Sequence, residues 1–254
     1  MYTGARRSTV VAPVYRPIVP GGERHVSSQT RLISKNVATR RNFLSGTAAT
    51  IAGGCAGSFL VTRDTAAADV TGPNVLGPRP GYSPQIGTFV SQLTWMREQN
   101  GILNYTKGLT QADLDWLFDA NANTIGALML HLAAAETYYG MNTFDGMKWG
   151  SWSDEVKKKW DAAMDLGDAG RKTIKGHDRD YYVGILNEVR EKTLAEFRKK
   201  DDAWFLTANK DPDWGDKLAN NLAKWFHVCE HESHHCGQIA MLRKRIPGAK
   251  PSAD

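Results

Sequence analysis

The stretch Trp225–Lys244, WFHVCEHESHHCGQIAMLRK, carries four histidines within nine residues. On an α-helix turning about 100° per residue, His227, His231, His234 and His235 fall on one stripe roughly 100° wide, with Gln238 inside it. Cys229 and Cys236 fall about half a turn away, beside Leu222 and Trp225, which predicts small core residues rather than metal ligands. His231 and His235 are one helical turn apart, a spacing that lets two imidazoles reach one ion. The helix is expected to stop at Pro247-Gly248.

Two ligands do not make a strong site, so a third must come from elsewhere. His131, in ALMLHLAAAE, is a histidine in the middle of an apolar helical pattern. An imidazole buried there needs a partner, and the histidine stripe is the obvious one. His131, His231 and His235 are therefore the expected metal ligands. Three imidazoles without a fixed fourth ligand leave an open position, the arrangement of catalytic rather than structural sites. His227 is expected at the site mouth, His234 between helices or behind a ligand, and Gln238 in hydrogen-bonding reach of a ligand or water.

Other readings of the same residues are weaker. HESHH formally matches H-E-x-x-H, which would make Glu232 the general base of a zinc protease. No Glu or His follows His235 to complete such a site, and no strand is expected to align a peptide. Glu232 and His235 also form one E-x-x-H, but a di-metal bundle needs a second copy and further glutamates. Glu136 and Tyr138 are placed near the site mouth or in solvent. A non-catalytic metal- or ligand-binding bundle is the serious alternative to an enzyme, and no general base stands out.

Outward from this stretch the chain reads as all-α. Four long helical patterns span Gln85–Leu103, Asn123–Met141, Arg179–Lys199 and Asp216–Ile246, with apolar residues at three- and four-residue steps. The expected architecture is a four-helix bundle. A long connection between its second and third helices, about Asn142 to Asp178, holds a shorter amphipathic piece with Ser153 as N-cap. Such a link can cross the bundle and leave the two helices parallel. The domain is expected over 85–246, with 69–84 as a Pro/Gly-rich linker and 247–254 as a tail.

The net charge of +5 is unevenly placed: residues 1–68 hold nine Lys/Arg against two Asp/Glu, and the remainder holds 23 against 25. The helical part thus offers no electrostatic footprint for nucleic acid. Residues 1–38 are read as disordered. Arg40-Arg41, Phe43-Leu44, the Ala/Gly-rich run to Val61 and the A-x-A at Ala66–Ala68 follow the order of a secretory signal. The arginine pair resembles a twin-arginine export signal. A periplasmic or extracellular protein without a stable membrane span is expected. Lipidation at Cys55 is the lesser alternative, because Ala52 is small for that motif.

The ending H-x-x-H-H-x-G-Q-I, here His231 to Ile239, resembles the DinB-like superfamily. So does LTQADLDWLFDANANTIGALMLHLAAAETYY, and the resemblance spans about Gln85 to Arg245. It implies a four-helix bundle with a long crossover. It also implies a site for one divalent metal, zinc or nickel, with ligands corresponding to His131, His231 and His235. Some relatives are transferases or isomerases using a small, chiefly cytoplasmic thiol. The expected enzyme is a metal-dependent hydrolase or a thiol-dependent transferase acting on a small-molecule substrate or ligand, with homodimer formation left open.

Overall fold

The computed structural model describes residues 72, 74–99 and 101–250. The export signal, Cys55 and the start of the linker lie outside the described residues. The helices are α1 (Pro84–Glu98), α2 (Ile102–Tyr105), α3 (Gln111–Asp115), α4 (Ile125–Thr143), α5 (Asp154–Asp165), α6 (Gly167–Thr173), α7 (Arg179–Phe197), α8 (Asp202–Leu206) and α9 (Asn221–Arg243). The long elements α1, α4, α7 and α9 form the expected bundle. Among the described residues no helix is long and apolar enough to cross a membrane.

Local chemistry sets the boundaries. Thr124, Ser153, Asp178 and Asn220 each cap the helix that follows by accepting a backbone N–H with the side chain. The Ser153 cap is the expected one. Two boundaries differ from expectation. The first pattern was expected to run to Leu103, but α1 ends at Glu98; the chain then turns so tightly at Gly101 that a Cβ there would lie 1.6 Å from the Met96 carbonyl oxygen. The fourth pattern was expected from Asp216, but α9 begins at Asn221. Residues before it form an unforeseen antiparallel hairpin, β1 (Asn209–Asp211) with β2 (Lys217–Ala219). Asp211 pairs with Lys224, and Asp213 Oδ2 accepts from Asn142 Nδ2 (3.1 Å) and the Trp149 amide (3.2 Å). These bonds strap the hairpin to the first turn of α9, to the end of α4 and to the segment that follows α4.

Contacts along α4 and α7 rise together: Gly126 meets Tyr182, Glu136 meets Arg190, and Phe144 meets Phe197. The two helices are therefore parallel, as the long crossover through α5 and α6 requires. Against α9 the order reverses, with His131 at His231 and Thr143 at Trp225, so α4 and α9 are antiparallel.

The core has two apolar layers. One gathers Ile125, Met129, Tyr182, Leu186, Ile239 and Leu242; the other gathers Ile86, Phe89, Leu93, Phe197, Phe205 and Trp225. Between them lies a polar layer of Arg97, Glu136, Arg190 and Glu232, all buried. Residues 74–83 lie against α1, where Trp95 Nε1 donates to Asn74 Oδ1 (3.2 Å) and the Gly77 amide to Ser91 Oγ (3.0 Å).

Candidate metal centre

α4 and α9 bring the three expected histidines together. The Nε2 atoms of His131 and His231 are 3.1 Å apart, and those of His235 and His231 are 2.9 Å apart. Their ring centroids lie 4.9, 4.8 and 4.4 Å apart in the pairs 131–231, 131–235 and 231–235. His131 is buried, and His231 and His235 are half-buried, so the cluster opens at the α9 side.

Two rings are held from behind. His131 Nδ1 donates to the Ala163 carbonyl on α5 (2.9 Å), and His235 Nδ1 donates to Gln238 Oε1 (2.8 Å). Each bond places the hydrogen on Nδ1 and leaves Nε2 as a bare lone pair. Three Nε2 atoms thus converge, and a neutral His231 has one hydrogen at most to share between two acceptors. Neutrality is the favoured state. Burial lowers the pKa of His131; burial and the neighbouring histidines push His231 down to about 3; burial and His131 push His235 down to about 4. Nitrogens bound at about 2.0–2.1 Å to one tetrahedral ion lie roughly 3.3 Å apart. The two spacings from His231, 3.1 and 2.9 Å, are close to that, and hydrogen-poor nitrogens facing one another are what a cation relieves. The residues present fit a divalent metal.

The remaining sequence candidates separate. His227 is exposed; its Nδ1 pairs with Glu230 Oε2 (3.0 Å), and its ring lies 5.9 Å from His231, 5.9 Å from Tyr139 and 6.2 Å from Trp214. It stands at the mouth, with Trp214 delivered by the hairpin. His234 is exposed, its ring 6.1 Å from that of His235, so it is not packed between helices as expected. Cys229 and Cys236 are free and buried, as expected, and burial pushes their thiols up to about 11 and about 12.

The placements of Glu136 and Tyr138 need correction, and the disfavoured general-base reading of Glu232 falls away. Glu232 faces the core rather than the cluster, where Arg97 Nε (2.9 Å) and Arg190 Nη2 (3.0 Å) bind it. A carboxylate so engaged is no general base, which removes the protease reading. Glu136 is neither at the mouth nor in solvent: it is buried against Arg190 Nε (2.8 Å) and Arg97 Nη2 (3.0 Å). Burial raises its pKa, but Arg190 and Arg97 outweigh burial and hold it at about 2. With both glutamates tied to arginine, the di-metal reading also fails. Tyr138 is buried, stacked on Trp152 (5.0 Å), and donates to Asp161 Oδ1 (2.5 Å). A cavity of about 440 Å³ lies on another face, between α4, α5 and α7. Phe144, Val156, Trp160 and Val189 wall it, and none of the three histidines lines it.

A family model described as Mycothiol-S-transferase matches residues 89–248. The chain belongs to the mycothiol S-transferase family. The match covers the bundle except for the first five residues of α1, together with the crossover and all three clustered histidines, and it places this family member in the DinB-like superfamily. No curated protein matches the chain.

Proposed function

We propose that the protein is a metal-dependent S-transferase. His131, His231 and His235 hold one divalent cation, zinc or nickel. The sulfur of a small thiol, mycothiol or an analogue, is passed to an electrophilic acceptor. The observation that carries this reading is the convergence of three histidine Nε2 atoms at a half-open site. Family membership supports the thiol. A bound cation would supply Lewis acidity, making a thiolate available at neutral pH.

The chain's own groups do the rest. Ala163 and Gln238 orient two of the rings. Trp214, Tyr139 and His227 wall the mouth and hold the body of the thiol. His227, steadied by Glu230, accepts the thiol proton. The sulfur then bonds to the acceptor carbon, and the acceptor's leaving group departs with the bonding pair.

The test is elemental analysis of natively purified protein beside a transfer assay with mycothiol and a chromogenic electrophile. About one divalent ion per chain is expected, with activity lost on chelation and restored by zinc or nickel. Full activity in metal-free protein, or undiminished metal in a His131→Ala variant, would refute the reading. We also propose export by the twin-arginine route on the strength of Arg40-Arg41. Replacing both arginines by lysine should hold a reporter fusion in the cytoplasm; unchanged export would count against it.

A further inference from the structure

Arg97, Glu136, Arg190 and Glu232 come one each from α1, α4, α7 and α9. The two carboxylates belong to the helices that carry the histidines, and the two guanidiniums belong to the other two. Glu232 lies between His231 and His235 in sequence, and Glu136 follows His131 by little more than one turn. Each arginine touches both glutamates. Arg97 Nη2 lies 3.0 Å from Glu136 Oε2 and 3.0 Å from Glu232 Oε2; Arg190 Nη2 lies 3.1 Å and 3.0 Å from the same two atoms. Arg97 Nε donates to Glu232 Oε1 (2.9 Å) and Arg190 Nε to Glu136 Oε1 (2.8 Å), while the Nη1 groups are anchored on main chain, Arg97 Nη1 on Leu186 O and Arg190 Nη1 on Leu93 O, both at 2.9 Å.

We propose that this quartet is a positioning device for the histidine centre: it fixes the axial register of α4 against α9, and so the spacing of the three imidazoles, before a metal arrives. Apolar contacts tolerate small slides between helices. Eight directional bonds around two bridging guanidiniums do not, and a slip of one residue moves a helix by about 1.5 Å. The charges cancel, two against two, so the set is internally satisfied. Buried ion networks are often no more stabilising than apolar side chains of similar size. Register is therefore the better explanation for keeping one here. The functional consequence rests on the metal reading above; the register itself does not.

The experiment compares wild type with a fully apolar quartet, R97M/E136L/R190M/E232L, and with Arg97→Lys. Lysine keeps the charge but cannot bridge two carboxylates with a planar fork. In metal-free protein, nuclear Overhauser contacts between the His131 and His235 rings, 4.8 Å apart, report register directly. Cobalt(II) titration, followed by its visible spectrum, reports the centre. Both variants should keep wild-type helical content, lose the ring contacts, and bind cobalt at least about tenfold more weakly. Retained ring contacts with unchanged cobalt affinity in the apolar quartet overturn the proposal. If that variant does not fold, the same result in Arg97→Lys overturns it. If wild type binds no cobalt, the metal reading fails, and the ring contacts alone decide whether the quartet sets register.

Discussion

His231 and Glu232 are neighbours in the chain and stand in opposite surroundings. His231 joins a cluster of like groups at the surface of the α4–α9 seam, where three Nε2 atoms converge with at most one hydrogen among them. Glu232 joins a cluster of opposite charges in the bundle interior, where every bond is matched. Both clusters draw on α4 and α9. One is incomplete by itself and invites an outside charge; the other closes on itself. The contrast separates a site from a scaffold: a binding centre is recognised by the need it leaves open, and a structural centre by its lack of one.

Substitution of the neighbours should break the comparison cleanly. Glu232→Ala leaves two buried guanidiniums short of a partner and should cost about 3–5 kcal/mol of stability in denaturant unfolding. His231→Ala should leave the metal-free protein within about 1 kcal/mol of wild type, while abolishing stoichiometric metal in elemental analysis. Equal destabilisation by both would mean that the histidines are also scaffold. Next in size is Gln238→Ala, which frees the His235 ring. Metal affinity should fall about 10–100-fold with little change in melting temperature; unchanged affinity would show that the orienting bond is idle.

Acid should separate the two clusters in sequence. His231 and His235 have folded pKa values of about 3 and about 4, below the usual value of about 6.5, so the unfolded chain binds more protons between these limits. Their contribution is fully present above about pH 6.5 and drains away as pH falls toward 4 and 3. Protons also displace metal over the upper part of that window. Glu136, held at about 2 against an ordinary 4.5, keeps its contribution above about pH 4.5 and loses it progressively as pH falls from there to about 2. Metal release should therefore precede loss of helical signal in an acid titration monitored by metal absorbance and circular dichroism. Coincident transitions would show that centre and scaffold melt together.

The histidine cluster was legible in sequence because helical spacing aligns His231 with His235, and because an imidazole at His131, between leucines, demands a partner. The crossover, its Ser153 cap and the parallel pairing it allows were legible from length and capping chemistry. The quartet was not read. Its signal was present: Arg97 follows Val90 and Leu93 on the buried stripe of α1, and Arg190 sits between Leu186, Val189 and Thr193 on that of α7. Charged side chains at core positions on four helices must pair, but single-sequence periodicity does not say with what. Glu136 was misplaced for that reason. The hairpin escaped because its strands have three residues each and expose most of them, leaving no alternation to detect.

The His131–His231 contact joins positions 100 residues apart in the chain. During synthesis α4 leaves the ribosome long before α9, with the crossover and α7 emerging between them. At the usual elongation rate of about 5–20 residues per second, several seconds separate the first ligand from the other two. Until α9 is made, a nascent chain holds one of the three clustered histidines and cannot assemble the centre. On the metal reading proposed above, cation capture at this centre is a late event, open only to a polypeptide whose final long helix has docked, and fragments ending before Asn221 lack two of its three histidines.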